Sequence, residues 1–132
     1  LARIGFDRVV GFLEHPMVVM AEHPDRVARA SRLTAAELDE RRQQIANLQI
    51  VDVRNPGELE HGLIDGAITI PVGQLPKRVD ELDAARPTVV YCAGGYRSSV
   101  AARVLRQAGF GDVSDLLGGW GAWGEHRSSV PA

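Results

Sequence analysis

Thr88-Val89-Val90-Tyr91-Cys92-Ala93-Gly94-Gly95-Tyr96-Arg97-Ser98-Ser99 runs from an apolar, β-branched segment through paired glycines into residues that open a helix. Four residues from Thr88 to Tyr91 read as a buried strand. From Ser98 to Ala108 a helix is expected, with Val100, Ala101, Val104, Leu105 and Ala108 as its apolar stripe and Gly109 just past its end. The only cysteine, Cys92, stands between the two elements. A thiol at the end of a strand, facing a helix N-terminus, meets unpaired N–H groups and the positive end of a dipole. Those groups favour the thiolate, the nucleophilic form of the side chain. Glycines let the backbone close around a small anion without a Cβ in the way. The local sequence therefore predicts a sulfur nucleophile in an anion-binding cradle.

The same strand-and-helix rhythm extends to both sides. Gln49 to Val53 reads as a strand ending in the turn Arg54-Asn55-Pro56-Gly57. Ala67 to Ile70 is a second short strand, stopped by Pro71. Leu75, Val79 and Leu82 share one face of a helical stretch. Val113 to Leu117 is a further strand, and Trp120 to His126 a short closing helix. Strands alternating with helices predict an α/β fold with a parallel sheet. Ahead of them, Thr34-Ala35-Ala36-Glu37 is a capping-box pattern that opens a helix continued by Leu38, Arg41 and Ile45, whereas Glu22 to Ser31 is polar and reads as helix or linker.

Composition bounds the function. The 132 residues make one domain's worth of chain, and a net charge of −2 argues against binding nucleic acid through bulk positive charge. A lone cysteine closes no internal disulfide, and a free thiol suits a reducing, cytoplasmic setting. No apolar run approaches the roughly 18 residues of a membrane span, and no secretory pattern is read. His15, His23, His61 and His126 lack ligand spacing, so no metal site is expected; no cofactor is expected either.

The first residues echo a later stretch. Leu1, Gly5, Phe6, Val9 and Leu13 recur at one offset as Leu105, Gly109, Phe110, Val113 and Leu117. One reading makes Leu1 to Glu14 the tail of a preceding, degenerate module of the same fold; the other is that helix, Gly-Phe and strand form a common sequence of elements. The expected organisation is an N-terminal extension over residues 1–32 and a folded domain over 33–132. A chain that begins at Leu1 rather than at a methionine is expected of a fragment.

Four blocks in order resemble the rhodanese family. Val51-Asp52-Val53-Arg54 with Glu58 is similar to the opening strand and turn of such domains, and Gly62 to Pro71 to their second block. Cys92-Ala93-Gly94-Gly95-Tyr96-Arg97-Ser98 is similar to the active-site loop, and Leu117-Gly118-Gly119-Trp120-Gly121-Ala122-Trp123 to the closing block. One departure is visible: the second block usually reads Gly-His-Ile, and here Leu63 follows Gly62 while His61 precedes it. The resemblance implies a central, mostly parallel five-stranded sheet with helices on both faces. Pro71-Val72-Gly73-Gln74-Leu75-Pro76 further resembles rhodanese modules at the C-terminus of metallo-β-lactamase-fold, persulfide dioxygenase-type fusion proteins, which implies such a domain upstream in the native protein.

By the same resemblance, Cys92 takes the outer sulfur of a donor such as thiosulfate or glutathione persulfide and passes it to cyanide or a thiol, through a covalent persulfide. Ala93, Gly94, Gly95, Tyr96, Arg97 and Ser98 are the substrate-binding loop. Arg97 recruits an anionic donor, or else is a solvated surface arginine; Tyr96 shapes access, or is an exposed loop aromatic; Ser98 caps the helix with its hydroxyl or meets substrate. Asp52 and Arg54 are supporting residues: Asp52 holds the active loop by pairing with an arginine, and Arg54 makes a surface bridge to Glu58. Trp120 and Trp123 are expected to pack rather than bind. Two rivals stand beside the sulfurtransferase. A phosphatase or arsenate reductase on this fold carries a loop one residue longer, and Cys92 to Arg97 has the short form. A non-catalytic module would dock proteins or only carry sulfur.

Overall fold

The computed structural model describes residues 31–130. The proposed repeat at Leu1 to Leu13 and most of the extension lie outside the described residues. The order of elements is β1 (Ser31–Leu33), α1 (Ala35–Gln44), β2 (Gln49–Asp52), a 3-10 turn (Pro56–His61) and β3 (Ile68–Thr69). Then come a 3-10 turn (Val72–Gln74), the short α2 (Leu75–Arg78) and another 3-10 turn (Val79–Glu81). β4 (Thr88–Tyr91), α3 (Tyr96–Gln107), β5 (Val113–Leu116) and α4 (Gly119–Ser129) complete the unit.

The five strands form one sheet in the order β1-β5-β4-β2-β3, and every pairing is parallel. Alternation along the strands sorts two cores. Val51, Val53, Val90 and Cys92 face α2 and α3, meeting Leu75, Ala101, Ala102 and Leu105. Ile50, Val89 and Tyr91 face α1 and α4, meeting Leu38 and Trp123. Helices thus cover both faces, which is why the three central strands β2, β4 and β5 are buried along their whole length. After β2 the chain moves outward to β3, and after β4 it moves the other way to β5. Such a reversal opens a crevice at the carboxyl ends of the strands. Cys92 follows β4 at that point, and Val53, which follows β2, donates to the Tyr91 carbonyl at 2.9 Å.

Some elements differ from expectation. The fifth strand, β1, takes up Ser31, the end of the segment read as helix or linker; it pairs with β5 and is fastened by a 2.7 Å Ser31–Ser114 hydroxyl contact. Leu75 to Leu82 is not one helix but α2 followed by a 3-10 turn, although Leu75 and Leu82 do face the core. α3 starts at Tyr96, two residues earlier than expected, because Gly95 at φ 118° takes the N-cap position. At α1 the capping box forms as read: Glu37 N–H donates to Thr34 Oγ1 at 3.1 Å and Thr34 N–H to Glu37 Oε1 at 2.9 Å.

The closing glycines bind the last helix to the loop after β4. Trp120 N–H donates to the Cys92 carbonyl at 2.8 Å, and Gly121 N–H to the Ala93 carbonyl at 3.3 Å. A Cβ on Gly119, whose φ is +57°, would collide with the carbonyl oxygens of Cys92 and Ala93. Gly119→Ala is expected to cost about 2–3 kcal/mol, because both obstacles are backbone and cannot step aside. Gly124→Ala is the contrast: it is an exposed helical position with nothing within 4 Å of the added methyl. That change is expected to add up to about 1 kcal/mol of stability. Urea unfolding of the pair checks both signs.

Candidate active site

Cys92 is 1% exposed, and its sulfur is the acceptor at the centre of the loop. Gly95 N–H donates to Sγ at 3.0 Å and Ser98 N–H at 3.4 Å; Ser98 Oγ lies 3.6 Å away. The backbone can turn its N–H groups inward because Gly95 sits at positive φ, a conformation that costs a residue with a side chain about 1–2 kcal/mol. Burial pushes the thiol up. The Ser98 hydroxyl and the N–H groups of Ser98, Gly95 and Gly94 more than offset it, so the net position is below the ordinary cysteine value.

Ser98 does not cap the helix, because Gly95 already occupies the capping position and Ser98 lies three residues further on. Its hydroxyl instead donates to the Gly95 carbonyl at 3.0 Å, and Asp115 Oδ2 lies 3.5 Å from the same oxygen. Asp115 is buried, and Arg32 Nε stands 3.5 Å from its other oxygen. The hydroxyl proton therefore faces two acceptors, the Gly95 carbonyl and the Asp115 carboxylate, while its oxygen stays within reach of the Cys92 sulfur. Ala93 and Gly94 are exposed at the rim, and Tyr96 projects outward with 81% of its surface exposed.

Arg97 is neither free nor merely solvated. Its guanidinium forks onto Glu58, with Nη1–Oε2 at 2.6 Å and Nη2–Oε1 at 2.8 Å. Arg97 and the Asn55 N–H hold the Glu58 carboxyl down at about 2. The expected surface bridge from Arg54 to Glu58 is accordingly absent, since the Glu58 carboxylate is committed to Arg97.

Arg54 goes inward instead. Its side chain is 2% exposed and that of Asp52 is 0%. Nη2 reaches Asp52 Oδ2 at 2.6 Å, and Nε reaches Oδ1 at 3.0 Å. The remaining donors meet the Glu58 carbonyl at 3.1 Å and the Gly62 carbonyl at 2.9 Å. Its carbon stands 4.7 Å from the Trp120 ring centroid. The expected partner of Asp52 is thus Arg54, two residues along, and the pair fastens the 3-10 turn bearing Glu58 to the end of β2. Trp120 packs as expected, with Arg54 as an unforeseen neighbour. Among the described residues no helix is long and apolar enough to cross a membrane.

Comparison with known proteins agrees with this geometry. The family model described as a rhodanese-like domain matches residues 34–126. A sulfurtransferase of Allochromatium vinosum is 34% identical over 102 residues, covering 77% of this chain and 95% of its own length. Thiosulfate sulfurtransferase GlpE of Shewanella oneidensis is 40% identical over 79 residues, 60% of this chain and 78% of that protein. The crystal structure of a rhodanese-related protein from Thermoplasma volcanium superimposes with a TM-score of 0.67 at 33% identity, covering 78% of this chain and 96% of that one. The α/β sheet, the cysteine in the loop after β4 and these matches have one common reading: the chain belongs to the rhodanese-like domain family.

Proposed function

We propose that this domain is a thiol sulfurtransferase that works through a Cys92 persulfide. The observation that carries the reading is the Cys92 sulfur accepting the Gly95 and Ser98 N–H groups at 3.0 and 3.4 Å. A thiolate so held attacks the outer sulfur of a donor. With thiosulfate, the sulfur–sulfur bond of the donor breaks, sulfite leaves with the electron pair, and Cys92–S–S⁻ forms. Cyanide then attacks the outer sulfur, thiocyanate leaves, and the Cys92 thiolate returns. With glutathione persulfide as donor, glutathione thiolate departs in place of sulfite. The Ala93 to Ser98 loop would hold the incoming sulfur, and its N–H groups would stabilise the charge carried by the longer persulfide arm. Asp52 and Arg54 would support the loop from beneath.

The test is to incubate the protein with thiosulfate or glutathione persulfide and weigh it intact. A gain of one sulfur, followed by thiocyanate release on adding cyanide, is expected. Loading without release would favour a sulfur carrier, and no loading with any donor would favour a docking module. Phosphatase activity in the unmodified chain would overturn the assignment. The domain is proposed to begin at Ser31 rather than at 33, because β1 carries Ser31 and Arg32 into the sheet, and the extension ahead of it is proposed to end a preceding module. A metallo-β-lactamase-fold neighbour and a cytoplasmic setting belong to the same proposal, supported by the wording of Pro71 to Pro76 and by the free thiol.

A further inference from the structure

We infer that Glu58 sets the donor class: by neutralising Arg97 it turns the site away from dianionic thiosulfate and toward an organic persulfide, R–S–SH. The inference rests on the sulfurtransferase reading above. Arg97 is the only basic residue between Cys92 and Ser98. Both of its terminal nitrogens face Glu58, at 2.6 and 2.8 Å. Glu58 cannot easily swing away, because its Oε2 also accepts the Asn55 N–H at 2.9 Å. Its turn is in addition tied to Arg54 through the Glu58 and Gly62 carbonyls. The carboxyl lies far below neutrality, so the pair is charged and self-compensated at any working pH. The Arg54 guanidinium is buried and committed to Asp52 and the two carbonyls.

The two donor classes ask different things of this rim. Thiosulfate carries two charges on a compact head, and its sulfonate must rest just beyond Sγ. Inward N–H groups serve the sulfur, but no uncompensated cationic side chain of the loop serves the sulfonate. A persulfide places at most one charge on the transferred sulfur, where those N–H groups point. Its carbon substituent extends toward the rim, where Tyr96 offers an exposed ring. In the transfer, the Cys92 thiolate bonds to the outer sulfur, the donor's S–S bond breaks, and R–S⁻ leaves with the electron pair to take a proton from water.

The test compares thiosulfate with methanethiosulfonate, which has one methyl in place of one charged oxygen, using cyanide as acceptor. Glu58→Gln is expected to raise kcat/KM for thiosulfate relative to methanethiosulfonate by about tenfold, since it releases one positive charge at the rim. The double change Glu58→Gln/Arg97→Gln, neutral again, is expected to return the ratio to within about threefold of the starting protein. A ratio that does not move in Glu58→Gln, or that falls, overturns the inference. Should that variant fail to fold, the unmodified protein decides: glutathione persulfide should exceed thiosulfate in kcat/KM by about tenfold or more, and the reverse order overturns the inference. If persulfide loads Cys92 but these ratios disagree, only the donor inference falls. If no donor loads it, the sulfurtransferase reading fails and the donor inference with it.

Discussion

Cys92→Ser is expected to take up no sulfur from any donor and to lower thiocyanate formation by at least about a thousandfold. The replacement is nearly isosteric, so the N–H groups of Gly95 and Ser98 still find an acceptor in the same cradle. What vanishes is the ionisable, polarisable atom. A serine hydroxyl stays protonated under conditions where a cradled thiol ionises, and it forms no persulfide. Intact mass after donor treatment gives the answer directly. A residual gain of sulfur in the variant would mean that another atom carries it, which the single cysteine of this chain makes chemically untenable.

The same variant isolates a pH effect. The folded thiol lies below its ordinary value, after burial has been more than offset by the Ser98 hydroxyl and the loop N–H groups. The unfolded chain therefore holds the thiol proton more tightly than the native one. Stability from this group is fully present above the ordinary value, near pH 8.5, and is lost as pH falls through the lower folded value. Serine does not titrate there. The Tm difference between the native protein and Cys92→Ser is expected to widen in favour of the native protein as pH rises toward about 8.5. A difference that stays flat across that range would remove the electrostatic basis of the proposed nucleophile.

Local pattern made the setting of Cys92 legible. An apolar run, two glycines and an apolar stripe at helical spacing dictate β4, the loop and α3 with little help from the rest of the molecule. β1 is the opposite case. Ser31-Arg32-Leu33 has no strand signature, and it is extended because β5 offers it an edge and Ser114 offers its hydroxyl. The roles of the charged residues were least visible. Arg54 and Glu58 are four apart and look like a surface pair, yet Arg54 is drawn inward by Asp52 and by carbonyls that only the folded turn presents. Glu58 is left for Arg97, 39 residues away, and no spacing rule reaches that far. Ser98 illustrates a competition: it is a good capping residue, but Gly95 can adopt the positive φ the tight loop requires and takes the position first.

Arg54→Leu is expected to destabilise the domain by about 3–5 kcal/mol, the usual cost of removing one partner from a buried ion pair. Asp52 is fully buried, and without the guanidinium its carboxylate would keep the main-chain N–H of residue 54 at 3.0 Å and the Tyr91 hydroxyl, with no cation beside it. The Glu58 and Gly62 carbonyls would lose their donors, and Trp120 its stacked cation. The loss is a large share of the roughly 5–15 kcal/mol that holds a domain of this kind together. Arg54→Lys should recover only part of it, since an ammonium cannot fork onto a carboxylate and reach two carbonyls from one plane. Asp52→Asn combined with Arg54→Leu should be milder than Arg54→Leu alone, because no unpaired charge is left inside. Urea midpoints at constant slope separate these cases. A cost below about 1 kcal/mol for Arg54→Leu would mean that water reaches Asp52 once the arginine is gone. The turn that carries Glu58 would then be held by something other than this pair, and its grip on Arg97 would survive the substitution.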